Sequence, residues 1–85
     1  MVITEIDFVP IKPNKGLIGF ASFVLDGYFY LSGIGVHTRL DGGSTYRLLY
    51  PNNDFTKKPQ FHPITKEIGD LIEKEVSIYI NHLRK

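Results

Sequence analysis

The stretch from Leu17 to Val36, LIGFASFVLDGYFYLSGIGV, constrains the fold of this chain more than any other, because it reads as a β-hairpin without a polar face. Asp26-Gly27 is the turn. Both residues tolerate the positive φ angles of a tight two-residue connection, so Leu25 is expected opposite Tyr28 and the register follows outward. One face then carries Leu17, Ala21, Phe23 and Leu25 beside Tyr28, Tyr30, Ile34 and Val36, and the other carries Ile18, Phe20 and Val24 beside Phe29 and Leu31. Gly33 and Gly35 fall opposite Phe20 and Ile18, where a missing side chain leaves room for a ring or a close backbone approach. An antiparallel sheet usually leaves one face wet, so two apolar faces call for two covers. A helix from the same chain and a second copy of the protein are the candidates.

The flanking segments supply the first of these. Val2 to Ile11 reads as a half-buried strand with Val2, Thr4, Ile6 and Phe8 on one side and Glu5 and Asp7 on the other. Pro10 removes a ladder donor and suits a strand end or an edge. Lys12 to Gly16 is a turn, Thr38 to Ser44 (TRLDGGS) a glycine-containing connection, and Thr45 to Tyr50 a fourth strand. Pro51 to Pro63 is a long irregular connection with room for a short extended piece around Gln60-Phe61, and long connections in compact domains are often functional or mobile. From Thr65 the period changes to 3.6: Ile68, Leu71, Ile72, Val76, Tyr79, Ile80 and Leu83 form one stripe, with Lys66, Asp70, Glu73, Lys74, Ser77, Asn81 and Arg84 off it. Thr65 is the expected N-cap, and Arg84 and Lys85 suit the negative end of the helix. Glu75 falls inside the stripe, so it is expected at a rim or beside a basic group.

These elements predict an α+β fold, an antiparallel meander of about four strands, with room for a short fifth, and a C-terminal α-helix packed on it. The whole chain is read as one domain: sheet over residues 1–50, proline-rich basic loop over 51–64, helix over 65–85. A core of 85 residues gives only about 3–5 kcal/mol unless something staples it. No cysteine is present for a disulfide or a thiolate zinc cluster, which leaves oligomerisation as the staple. Hydrophobic residues at 42% and charged residues at 22% argue against disorder. No apolar run approaches the roughly 20 residues of a membrane span, and the start, MVITEIDF, lacks the basic-then-apolar run of a signal peptide. An intracellular, cytoplasmic protein is expected.

The net charge of +1 is evenly spread over the sheet and helix segments, and only residues 51–64 depart from balance, with Lys57 and Lys58 against Asp54. Lys57 and Lys58, with Lys66 at the helix start, suit phosphate contacts, and Lys74 could widen the patch. The competing reading is a solvated surface. Tyr28, Tyr30 and Tyr46 could share a face and stack bases, although strand aromatics are more often core or interface. His37, His62 and His82 lie on three different elements without metal-ligand spacing, so no metal or other cofactor is expected. His62 before Pro63 suits a structural hydrogen bond. The serines lack a nucleophile-elbow context and the carboxylates do not pair, so no catalytic residue can be nominated and no enzyme is expected.

Taken in order, the chain resembles the SpoVG septation-regulator family, small bacterial proteins named for a role in sporulation and cell division. The resemblance runs over nearly its whole length. It rests on Ile3-Thr4-Glu5-Ile6, Gly16 to Ser22 with Leu25-Asp26, Ile34-Gly35-Val36, Leu49-Tyr50-Pro51, His62-Pro63-Ile64 and the helix through Ile72, Val76 and Tyr79. It implies a homodimer that regulates by binding DNA, and in some members RNA, without catalysis. The homodimer agrees with the two-faced hairpin, and the expected interface is Phe20, Phe29, Leu31, Gly33 and Gly35. One departure stands out: family members commonly follow the strand-ending proline with a Ser-Lys-Arg run, whereas Pro51 here precedes Asn52-Asn53-Asp54, with Lys57 and Lys58 a few residues on. A protein-interaction adaptor in cell division or sporulation therefore stands as the alternative.

Overall fold

The computed structural model describes residues 2–39 and 45–83. Strands β1 (Ile3–Asn14), β2 (Leu17–Leu25), β3 (Phe29–His37) and β4 (Arg47–Leu49) form one antiparallel sheet in sequence order, and α1 (Lys66–Leu83) packs on one face of it. The architecture is α+β, a four-stranded meander with a C-terminal helix. In place of a fifth strand there is a single antiparallel bridge, Asn52 to Pro59. Leu40 to Ser44, most of the glycine-containing connection, lies outside the described residues, as do Arg84 and Lys85.

The core is built from Ala21 and Phe23 of β2, Ile34 and Val36 of β3, Leu48 of β4, and Ile72, Val76 and Ile80 of α1. Helical spacing of i and i+4 places the last three on one line, and Ile68 and Tyr79 flank them half-buried. Thr65 starts the helix as its cap: Ile68 N donates to Thr65 Oγ1 at 3.3 Å and Gly69 N to Thr65 O at 3.1 Å. Glu75 is half-buried, as a rim position requires. Two stripe assignments change. Leu83 is half exposed, and Ser77, expected off the stripe, is buried, because its Oγ accepts the Tyr46 N–H at 2.8 Å and ties the helix to the start of β4.

The β1–β2 and β2–β3 pairings depart from uninterrupted alternation at bulges, and the bulges redistribute the side chains. Asp26 and Gly27 do form the turn, with φ of 54° and 73° and Tyr28 N donating to Leu25 O at 3.0 Å. The ladder resumes one residue later than expected, with Leu25 opposite Phe29, so Tyr28 stays outside it and is 87% exposed. Phe29 and Leu31 thereby move to the helix side, Leu31 opposite Phe23, and Tyr30 moves to the other face opposite Val24. A second irregularity around Gly33, which has φ of 73°, returns Ile34 to the core and places Gly35 rather than Gly33 opposite Phe20. A third, between Leu17 and Gly19, sends Leu17 outward to pair with His37 and Ile18 inward against the core. In β1 the break falls between Thr4 and Asp7, where Glu5 takes φ of 52°, so Ile3, Ile6 and Phe8 face the core while Val2 and Thr4 are exposed.

Gly19 is required by a close approach. A Cβ there would lie 2.4 Å from Val9 O and 2.7 Å from the Phe8 ring. The start of β1 is in turn fastened to the hairpin turn, since Val2 N donates to Asp26 Oδ1 and Asp26 N to Val2 O, both at 2.7 Å.

Candidate nucleic-acid interface

The connection from Pro51 to Pro63 is an ordered structure built around one asparagine. Asn53 Oδ1 accepts from Phe55 N at 2.8 Å and Thr56 N at 3.1 Å, while Asn53 O accepts from Lys57 N at 2.9 Å. This is the local turn chemistry at which Asn excels. Lys57 completes it in the left-handed region at φ of 60°, which lets Lys58 O accept from Asn53 N at 2.8 Å. Below the tip, Asn52 bridges Pro59, and Gln60 N donates to Pro51 O at 2.7 Å. The stem ends on an aromatic contact: the Tyr50 and Phe61 rings meet edge to face with centroids 5.8 Å apart. A small hairpin results, with Phe55, Lys57 and Lys58 all exposed at its end.

Tyr50 carries the strongest electrostatic perturbation of the region. Its hydroxyl is buried without a hydrogen-bond partner, and burial, followed by the nearby negative charge of Glu73, pushes its pKa up to about 12. Glu73 itself is paired, accepting from Arg39 Nη2 at 2.6 Å. Tyr50 also lines an apolar cavity of about 200 Å³ between the hairpin stem, the outer ends of β2 and β3, and α1.

The four lysines expected to contact phosphate divide into two pairs. Lys57 and Lys58 share the hairpin tip, whereas Lys66 opens α1 and Lys74 lies eight residues, roughly 12 Å along the axis, further on. Each is exposed, and no ion pair or hydrogen bond of their ammonium groups is found among the described residues. His62 Nδ1 lies 2.9 Å from Pro63 O, a local bond of the structural kind. Among the described residues no group of three or more His, Asp or Glu side chains is placed to hold a metal ion. The three tyrosines do not form a platform: Tyr30 is on the outer face, Tyr28 on the turn, and the Tyr46 hydroxyl bonds Asn81 Oδ1 on the helix at 3.1 Å.

The sheet face turned away from α1 is a second candidate surface. Val9, Phe20, Tyr30 and Leu49 project from four strands there with 58%, 41%, 68% and 46% of their surface open, beside Gly35 and Leu17. A methyl at Gly35 would touch Leu17 Cδ1 at 3.4 Å, so Leu17 already leans over this glycine. Of the five residues expected at a dimer interface, Phe20 and Gly35 are on this face and Gly33 is at the bulge. Phe29 and Leu31 are corrected to the helix side, for the register reason given above.

Sequence reasoning passed over Phe55 and the turn that Asn53 builds. The signal was present in Asn-Asn-Asp between two prolines, a turn composition that fixes whatever follows it. Comparison of the chain with protein-family models, curated proteins and solved structures gives no match. No described helix is long and apolar enough to cross a membrane.

Proposed function

We propose that this chain is a cytoplasmic regulator that binds nucleic acid, DNA or RNA, as a homodimer and without catalysis. The observation that carries the reading is the ordered hairpin holding Lys57 and Lys58 clear of any ion pair among the described residues, so that both are available to phosphates. Lys66 and Lys74 extend the basic surface along α1. The uncovered apolar sheet face supports the homodimer, since patches of this kind on small proteins commonly mark an interaction site, and a two-fold pair presents the lysines twice. The sequence resemblance to the SpoVG septation regulators points the same way and suggests cell division or sporulation as the regulated process.

The test is a fluorescence-anisotropy titration of duplex DNA and of single-stranded RNA at two salt concentrations, comparing the wild type with Lys57→Ala/Lys58→Ala. Each phosphate contact releases a counterion, so on duplex DNA the log–log salt slope is expected to become shallower in the double variant by about 1.8 per protomer, about 3.6 for the homodimer. Undetectable binding at low salt, or affinity indifferent to salt, overturns the proposal. A second reading, an adaptor that binds division or sporulation proteins, draws on Asp54 where the family commonly has a basic residue and on Ile64, 93% exposed beside the helix start. It expects a specific partner that survives nuclease treatment in a pull-down.

A further inference from the structure

We infer that Phe55 is a stacking platform for an unpaired base, and hence that the hairpin's ligand is single-stranded nucleic acid. The inference rests on the nucleic-acid reading and narrows it. Phe55 is 97% exposed, more than any other large apolar side chain described. Elsewhere near the loop an aromatic ring is housed: Phe61 is half-buried against Tyr50. Phe55 is instead held out at the tip by the Asn53 turn, whose side-chain oxygen accepts the Phe55 and Thr56 N–H groups. Fixing the backbone in the free protein removes part of the ordering cost from any binding event that uses the ring.

The neighbours of Phe55 identify the kind of partner. Lys57 and Lys58 follow on the same tip, against the single negative charge of Asp54. An apolar protein pocket that swallowed the ring would strip water from these ammonium groups at a cost. Duplex DNA would use the lysines but could engage the ring only by unstacking a base step, at a cost of about a few kcal/mol that an unpaired base does not incur. A single strand offers both halves at once, an open π-face for the ring and adjacent phosphates for the cations, as sequence-tolerant single-strand binders combine them.

The measurement is anisotropy with a labelled oligothymidine and with a strand of the same length carrying sugar and phosphate but no bases, using wild type, Phe55→Leu and Phe55→Trp. The expected result is a wild-type preference of roughly 5- to 100-fold for the strand with bases, lost in Phe55→Leu and kept in Phe55→Trp, with unchanged thermal unfolding in both variants. Equal affinity for the two strands, or a preference that survives Phe55→Leu, overturns the stacking role. Salt-dependent binding of both strands alike leaves the nucleic-acid reading standing without it. If neither strand nor duplex DNA binds at low salt, both readings fall together.

Discussion

Phe23 and Phe20 lie three residues apart on the same strand, and their fates differ because they face opposite sides of one sheet. Phe23 is fully buried under α1 with Ala21, Ile34 and Val36, whereas Phe20 looks out with Val9, Tyr30 and Leu49 onto a surface that no described part of the chain covers. The two faces have similar composition. What separates them is the helix, whose Ile72, Val76 and Ile80 fill one side. Apolar character in a strand therefore reports that something is meant to cover it, without saying whether the cover is intramolecular.

The sharpest way to break this comparison is to truncate each ring in turn. Phe23→Ala is expected to cost about 3–5 kcal/mol in urea unfolding, enough to unfold most of so small a domain. Phe20→Ala should cost under about 1 kcal/mol in dilute solution, and its effect should grow with protein concentration if a second copy covers the outer face. A concentration-independent loss as large as that of Phe23→Ala would mean that the faces are not distinct.

A smaller contrast is available at two glycines. Gly19→Ala would drive a methyl into Val9 O and the Phe8 ring where β1 and β2 pair, and about 1–3 kcal/mol of destabilisation is expected in thermal unfolding. Gly33→Ala meets no atom within 4 Å and pays only for its positive φ, about 1 kcal/mol. Equal costs would show that the bulge at Gly33 is as tightly packed as the pairing of β1 with β2 at Gly19.

The smallest effect concerns the buried hydroxyl beside the hairpin stem. Because the folded state holds Tyr50 neutral up to about pH 12, above its ordinary value of 10, the stability this provides is complete below pH 10 and is lost as pH rises from there through 12. Tyr50→Phe should flatten part of the alkaline loss relative to wild type. At neutral pH it should be neutral or stabilising by up to about 1 kcal/mol, since it removes an unpartnered polar atom. A destabilised Tyr50→Phe protein with an unaltered alkaline profile would show that the hydroxyl is satisfied.

Long periodic patterns were legible in the sequence and local breaks in them were not. The stripe through Ile72, Val76 and Ile80, the Thr65 cap and the Asp26-Gly27 turn can each be read from neighbouring residues alone. The faces of Phe29, Leu31, Leu17 and Ile18 cannot, because a single bulge reverses every assignment beyond it and a bulge is decided by the partner strand. At the candidate site, charge composition marks Lys57 and Lys58. Phe55 escaped because its exposure comes from hydrogen bonds that Asn53 makes to backbone groups, which hydrophobicity patterns do not register.

Asp26 satisfies two demands at once, a left-handed backbone and an acceptor for the Val2 N–H. Few side chains meet both. In a library randomised at position 26 and sorted for folded clones, Asp and Asn should be enriched, glycine should survive only with a frayed chain start, and β-branched residues should vanish. One position thus filters sequence drift on behalf of two distant segments, and the tolerance of the turn is set as much by the second residue of the chain as by the turn itself.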